Sequence, residues 1–266
     1  MDYTLNIRGR LLSLNRPVVM GILNATPDSF FKGSRQQTEH DIARRTWQIV
    51  EEGGAIIDVG AYSTRPGADS VSQDEEMRRL RQALAIVRRE QPEAVVSVDT
   101  FRADVAKMAI EEYGADIVND VSEGQDKQMF RLVARMHVPY ILMSVQPTLQ
   151  ATLMAFAQKV QQLRDLGQND IILDPGFGFG KTTDDNFRLM NELEKLQVME
   201  LPVLVGVSRK SMIYKTLDCT PAEALNGTTA LNAIALQKGA SILRVHDVKE
   251  AVECCLLTSH LSPLIS

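Results

Sequence analysis

Eight times along this chain, a short run of β-branched and apolar residues gives way to a stretch whose apolar residues recur at helical spacing. The spacing predicts strands at residues 18–23, 55–59, 95–98, 116–118, 140–143, 170–173, 203–206 and 241–245. It predicts helices at 41–52, 74–90, 101–113, 127–136, 153–166, 185–196, 221–238 and 249–260. In the second of these, Met77, Leu80, Leu84 and Val87 fall on one face. Strands that alternate with helices dictate right-handed crossovers and a parallel sheet. Eight such units within 266 residues match an α/β architecture, a (β/α)8 TIM barrel, whose ordinary length is ~250 residues. The expectation is a single barrel domain over residues 1–266. The leading segment 3–14, turning at Gly9, is expected to form a β-hairpin that closes the barrel bottom. A doubly wound open sheet has the same alternation and stands as the alternative.

Composition enters as a set of exclusions. The net charge is −5, which points to no nucleic-acid or anionic-membrane partner, so any anion site must be a local cluster of cations. The first residues, MDYTLNIRGRLLSLNRP, show no apolar leader, and no apolar run approaches the length of a membrane span. Cys219, Cys254 and Cys255 are odd in number and lack CxxC spacing. They read as unpaired core thiols of a reducing, cytoplasmic compartment.

The unusual residues gather where the strands end. Asn24 to Phe30 follow the first strand, Ser63 to Gly67 the second, Asp99-Thr100 the third and Asn119-Asp120 the fourth. Asp174-Pro175-Gly176, Ser208 to Ser211, and Arg244 with His246 follow later ones. In a barrel these ends converge on one face, the face on which barrel enzymes carry their chemistry.

These motifs, in this order, resemble the dihydropteroate synthase family over almost the whole chain. The segments that carry the resemblance are MGILNATPDSF (20–30), GAIIDVGAYSTRPGA (54–68), SVDT (97–100), NDV (119–121), DPGFGFGKT (174–182), GVSRKS (206–211) and RVHDV (244–248). Two places depart from the family pattern. Ala61-Tyr62 stands where the family usually has Gly-Glu, and Met143-Ser144-Val145 where it often has Met-His-Met. The resemblance implies a transferase of folate synthesis, the target of sulfonamides. It would join a pterin diphosphate to 4-aminobenzoate by an SN1-like displacement, with Mg2+ as cofactor and a homodimer as the assembly.

The residue types suit that chemistry. Asp174 offers a carboxylate to the donor fork of a pterin edge, with an N-cap or turn Asp as the plainer alternative. Asn119 can both donate and accept, and Asp99 suits the opposite edge and a cationic intermediate. Lys210 would meet the ring carbonyl, with a solvated cation beside a helix start as the alternative. Phe179 either stacks on the ring or sits in the core. Arg244 and His246 alternate on one strand end and so face one side as an anion site. The resemblance adds Asn24 as the Mg2+ ligand, Met143 and Gly206 in the ring pocket, and Ser211 at the 4-aminobenzoate carboxylate. It also adds Thr64 as a ring or phosphate contact, Arg65 and Pro66 as the wall of the second pocket, and Asp28 as supporting charge. The segments 26–31 and 63–67 are expected to close over the site and exclude water.

Three other readings compete. A pterin-binding methyltransferase domain would need neither Arg244 with His246 nor the STRP segment. A non-catalytic pterin-binding relative would bind without turnover. A metal-hydrolase barrel lacks support, because His40, His137, His246 and His260 form no HxH pair. A phosphate-binding GxxxxGK[ST] loop fails as well, since Pro175 occupies its first position.

Overall fold

The computed structural model describes residues 3–25, 35–62 and 71–261. The chain opens with an antiparallel hairpin, β1 (Thr4–Ile7) and β2 (Arg10–Ser13), which turns through Arg8 and Gly9 at positive φ. Eight parallel strands then alternate with helices. In chain order these are β3 (Val18–Asn24), α1 (Arg35–Glu51), β4 (Ile56–Gly60), α2 (Gln73–Glu90), β5 (Val95–Asp99), α3 (Ala103–Tyr113), β6 (Ile117–Asp120) and α4 (Met129–Met136). They continue as β7 (Tyr140–Met143), α5 (Leu149–Asp165), β8 (Ile171–Asp174), α6 (Thr183–Asn191), β9 (Leu204–Val205), α7 (Ser211–Tyr214), α8 (Leu225–Gln237), β10 (Ile242–Val245) and α9 (Val248–Ser259). The sheet order is β8-β7-β6-β5-β4-β3-β10-β9. A parallel bridge between Leu173 and Val203, with Leu173 N donating to Pro202 O at 2.9 Å, brings the two ends together. The sheet is a barrel, not an open doubly wound sheet.

Side chains along each strand alternate between two environments. Outward residues such as Val19, Ile57, Val96, Val118, Leu142, Leu173 and Leu243 pack against the helices. Inward residues Met20, Ile56, Ile117, Ile141, Ile172, Leu204 and Ile242 form one apolar layer, and Leu5, Ile7 and Leu14 of the hairpin segment pack beneath it. The hairpin plugs the bottom as expected. Arg8 of its turn reaches Asp116 at 2.5 Å, and Arg88 of α2 holds the same buried carboxylate at 2.9 Å.

Two residues further along each strand, at the next inward position, the barrel interior turns largely polar. Ile22, Asp58, Asn119, Met143, Asp174 and Arg244 stand above the apolar layer, with Asn24, Gly60 and Asp99 above those. The same alternation that fills the bottom with Ile and Leu thus delivers the chemistry to the top. The helices differ from expectation in several places: α1 begins at Arg35 and α5 at Leu149, ahead of 41 and 153, and 221–238 divides into a 3-10 turn, Pro221–Glu223, and α8. Helix formation breaks at Glu192, so 185–196 splits into α6 and a 3-10 segment, Leu193–Met199. The one-turn α7 carries no apolar period, and only its start is marked in the sequence, by the Ser208–Ser211 motif.

Candidate active site

The site is built from the ends of β3 to β10, and its centre is Arg244. From β10 its guanidinium donates through Nε to Asp58 Oδ2 at 2.7 Å and through Nη2 to Asp99 Oδ2 at 2.6 Å. Asn119 Nδ2 donates to the same Asp58 oxygen at 3.2 Å. Gly60 gives Asp99 room, since a Cβ there would come to 3.3 Å of Asp99 Cβ, a tight contact. Asp58 is fully buried, whereas Asp99 keeps 18% of its side-chain surface open.

On the other side, Asp174 at the end of β8 accepts from Gly176 N at 2.8 Å. This is the turn geometry that the sequence offered as the plainer alternative, and it uses one carboxylate oxygen. Gly176 has φ +72° and would place a Cβ 1.9 Å from Ser144 O, so only glycine lets the strand end turn here. Met143 is the register partner of Asp174 and is fully buried.

Lys210 is the N-cap residue of α7, so the helix start of the plainer reading is present, but its side chain turns inward and is not solvated freely. Its ammonium donates to Phe177 O and lies 4.9 Å from the centre of the Phe179 ring. Phe177 is the core phenylalanine of this segment, and Phe179 stays partly open beside the cation. Gly206 lies beside the stem of Arg244; a Cβ there would stand 3.7 Å from Arg244 Cβ, an ordinary contact. Arg209, at positive φ, pairs with Asp247 through two contacts of 2.9 and 2.8 Å, and Ser208 Oγ accepts from His246 N. The GVSRKS and RVHDV segments are therefore fastened to each other, which sets Lys210 and Arg244 in one frame.

The electrostatics follow from burial. Asp99 is pushed up to about 7 by burial, with Arg244 opposing and Asp58 adding to the rise. Asp174 rises for the same first reason, against the pull of Lys210. Burial draws Lys210 down to about 8, with Asp174 opposing. Burial also works against the charge on Arg244, but Asp58 and Asp99 outweigh it and hold the guanidinium protonated. Three carboxyl groups and two cations share a pocket with few polar alternatives. Such a pocket fits a flat ring with N–H and carbonyl edges, and its acidic excess favours positive charge on a bound molecule.

The described residues bring together Asp99, Asn119, Met143, Asp174, Phe179, Gly206, Lys210 and Arg244. Ser211 follows Lys210 and is partly buried, as is His246, whose backbone is held from both sides by Ser208 and Arg45. Asn24 ends β3 on the inward register of Met20 and Ile22. Asp28, Thr64, Arg65 and Pro66 lie outside the described residues. The neighbour of Asn119, Asp120, points the other way and accepts from Tyr140 Oη at 2.7 Å, so it serves the frame. Asp58 went unassigned from sequence. Its signal was there: a carboxylate at the inward position of an otherwise apolar five-residue strand.

Both departures from the family pattern have local explanations. Ser144 is fully buried and donates to Glu123 Oε1 at 3.2 Å, which fastens the β7 loop rather than lining the pocket. Tyr62 makes an edge contact with Phe101 and lies under the guanidinium of Arg102, 5.5 Å from the ring centre.

Residues 20–246 match the family model described as "Pterin binding enzyme". The chain belongs to the dihydropteroate synthase family. It is 39% identical over 244 residues to the dihydropteroate synthase of Bacillus subtilis, covering 88% of this chain and 85% of that one. It is 37% identical over 261 residues to that of Escherichia coli, covering 92% of each. Among solved structures, the Xanthomonas albilineans dihydropteroate synthase with 4-aminobenzoic acid superposes with a TM-score of 0.93 at 33% identity, covering 99% of this chain and all of that one. The same bacterial enzyme in complex with 7,8-dihydropteroate gives a TM-score of 0.90 at 31% identity, covering 98% of this chain and all of that one. This family member thus keeps the fold through both sites of departure.

Proposed function

We infer that the chain condenses (7,8-dihydropterin-6-yl)methyl diphosphate with 4-aminobenzoate to give 7,8-dihydropteroate and diphosphate, a transferase step of folate synthesis. The observation that carries this reading is the polar layer itself: Asp174, Asn119 and Lys210 around a buried pocket, with Arg244 and His246 at one strand end. The C–O bond to the diphosphate breaks, the aniline nitrogen forms the new C–N bond, and its proton leaves to solvent.

Each residue has a role in this reading. Asp174 accepts from the ring N–H and amino group, Asn119 and Asp99 meet the other edges, and Lys210 donates to the ring carbonyl. Met143, Phe179 and Gly206 shape the slot. As the C–O bond breaks, positive charge develops beside Asp99 and Asp58, and negative charge develops on the leaving group beside Arg244 and His246. Arg244 begins with two carboxylate partners, so diphosphate must compete with Asp99 for it. Thr64, Arg65, Pro66 and Ser211 would receive 4-aminobenzoate, and Asp28 would add charge above the ring.

The amide oxygen of Asn24 fits a Mg2+ ion that takes the rest of its shell from phosphate oxygens and water. Among the described residues no cluster of three His, Cys, Asp or Glu could cage an ion on protein ligands alone. When bound there, the ion would neutralise charge on the departing diphosphate.

Assembly and location complete the reading. Ile234 of α8 and Leu256 and Leu257 of α9 are exposed apolar residues on neighbouring helices, which supports pairing with a second copy. Three unpaired thiols, one of them (Cys255) pushed up to about 12 by burial, suit a reducing cytoplasm. The test is product formation from the two substrates with and without Mg2+. Tight pterin binding without any turnover would leave the non-catalytic reading in place. Sedimentation of the pure protein decides between one copy and two.

A further inference from the structure

Asp58 lies at the inward position in the middle of β4, one layer below the open rim, with none of its side-chain surface exposed. A carboxylate there is expensive unless its lone pairs are used. Its Oδ2 is used twice, by Arg244 Nε at 2.7 Å and Asn119 Nδ2 at 3.2 Å. Its Oδ1 is buried with no hydrogen-bond partner among the described residues, and so is Oδ1 of Asn119. Two neighbouring side chains therefore each hold one unused acceptor at this level of the barrel.

An ionised carboxylate can only accept. It therefore decides which way the Asn119 amide is turned: the nitrogen faces Asp58 and the oxygen is left for whatever enters. The same atom fixes one edge of Arg244, whose other edge reaches Asp99. One buried oxygen thus sets the orientation of two groups that come from strands far apart in sequence.

We infer that Asp58 is a positioning residue: it locks the amide of Asn119 with its oxygen toward the ligand and anchors Arg244. The pocket floor then presents acceptors and selects a ring edge that carries N–H donors. This deepens the function proposed above and rests on a pterin being the ligand. A ring carrying a lone pair where the reduced pterin carries N–H would face oxygen against nitrogen lone pairs, and it would be rejected at the floor rather than at the rim.

The test is calorimetry with the phosphate-free pterin alcohol on wild type, Asp58→Asn, Asn119→Asp and the exchanged pair Asp58→Asn/Asn119→Asp, all first checked for folding. The exchanged pair keeps one amide and one acid in contact, so it carries the test even where a single variant does not fold. Asp58→Asn is expected to weaken binding roughly tenfold or more, since a second amide no longer dictates the turn of the first. The exchanged pair should bind better than the weaker single variant, and the KM for 4-aminobenzoate should stay within about twofold of wild type in every variant that turns over. Wild-type affinity in Asp58→Asn, or an exchanged pair no better than the weaker single variant, would overturn the positioning role and leave the pterin assignment intact. Failure of the wild-type protein itself to bind the pterin would overturn the assignment and this inference together.

Discussion

Arg244 shows how far a single residue's role depends on its partners. Read as an anion fork it would be removable at the cost of diphosphate affinity alone. In the structure it also neutralises Asp58 and Asp99, both inside the barrel. Arg244→Ala is therefore expected to weaken diphosphate binding and to lower folding stability by about 3–5 kcal/mol, because the buried Asp58 and the partly open Asp99 lose their counter-charge. Chemical denaturation beside diphosphate calorimetry checks both, and unchanged stability would show that the pair contributes nothing to the fold. Lys210 gives the pH dependence. Burial brings it to about 8, among Asp174, Arg244, Lys181 and Asp99. Its charge is present below that pH and lost above it. Affinity for the pterin diphosphate should then fall as pH rises past about 8. Lys210→Arg should carry that limb upward by more than a unit, since a guanidinium stays charged. A limb at the same pH in the arginine variant would assign it to another group. The motifs made Asp99, Asp174, Lys210 and Arg244 legible in the sequence. Asp58 was visible only as an inward carboxylate in an apolar strand, because nothing in a tetrapeptide reveals that it serves two distant side chains.

The existence of elements was read more reliably than their bounds: α1 and α5 begin at Arg35 and Leu149, ahead of the expected 41 and 153. The strand at 140–143 was read with the observed bounds, and α2 to within one residue. The start of α7 was marked by the Ser208–Ser211 motif, but its single turn and the break at Glu192 were not legible, because four residues hold too little periodicity and tertiary contacts decide the rest. The connection between β5 and α3 illustrates what only packing shows. Glu76 of α2 is fully buried and accepts from Thr100 Oγ1 at 2.7 Å and from Arg102. Arg102 also donates to Val71 O at 2.9 Å and lies over Tyr62. It therefore holds both residues that flank 63–70, while Thr100 ties the same network to the strand that carries Asp99. Arg102→Met should cost about 3 kcal/mol of stability by stranding Glu76, as measured in denaturant. It should also raise the KM for 4-aminobenzoate severalfold while pterin affinity stays near wild type. An equal loss of both affinities would place the network under the ring rather than beside the second substrate.

At the scale of the molecule, stability and chemistry occupy opposite ends of the barrel. The bottom layer of Met20, Ile56, Ile117, Ile141, Ile172, Leu204 and Ile242 rests on Leu5, Ile7 and Leu14. Leu5→Ala is expected to cost about 2–5 kcal/mol while kcat and both KM values stay within about twofold. A catalytic defect at full occupancy of the fold would mean that the hairpin is felt across the barrel.

The plugged bottom also makes the pocket a cul-de-sac. Among the described residues the bottom is closed by the hairpin, so in the reading proposed above whatever occupies the floor beside Asp58 and Asp174 leaves by the mouth, where 4-aminobenzoate would sit. The ring is first in and last out, so traffic through the site is sequential by architecture, whatever the local affinities. In a pulse–chase experiment, labelled pterin diphosphate bound before a chase of unlabelled excess should go on to product in proportion to the 4-aminobenzoate in the chase. At saturation nearly all of the bound label should be committed. Label that escaped equally at every concentration would require a second door in the barrel wall.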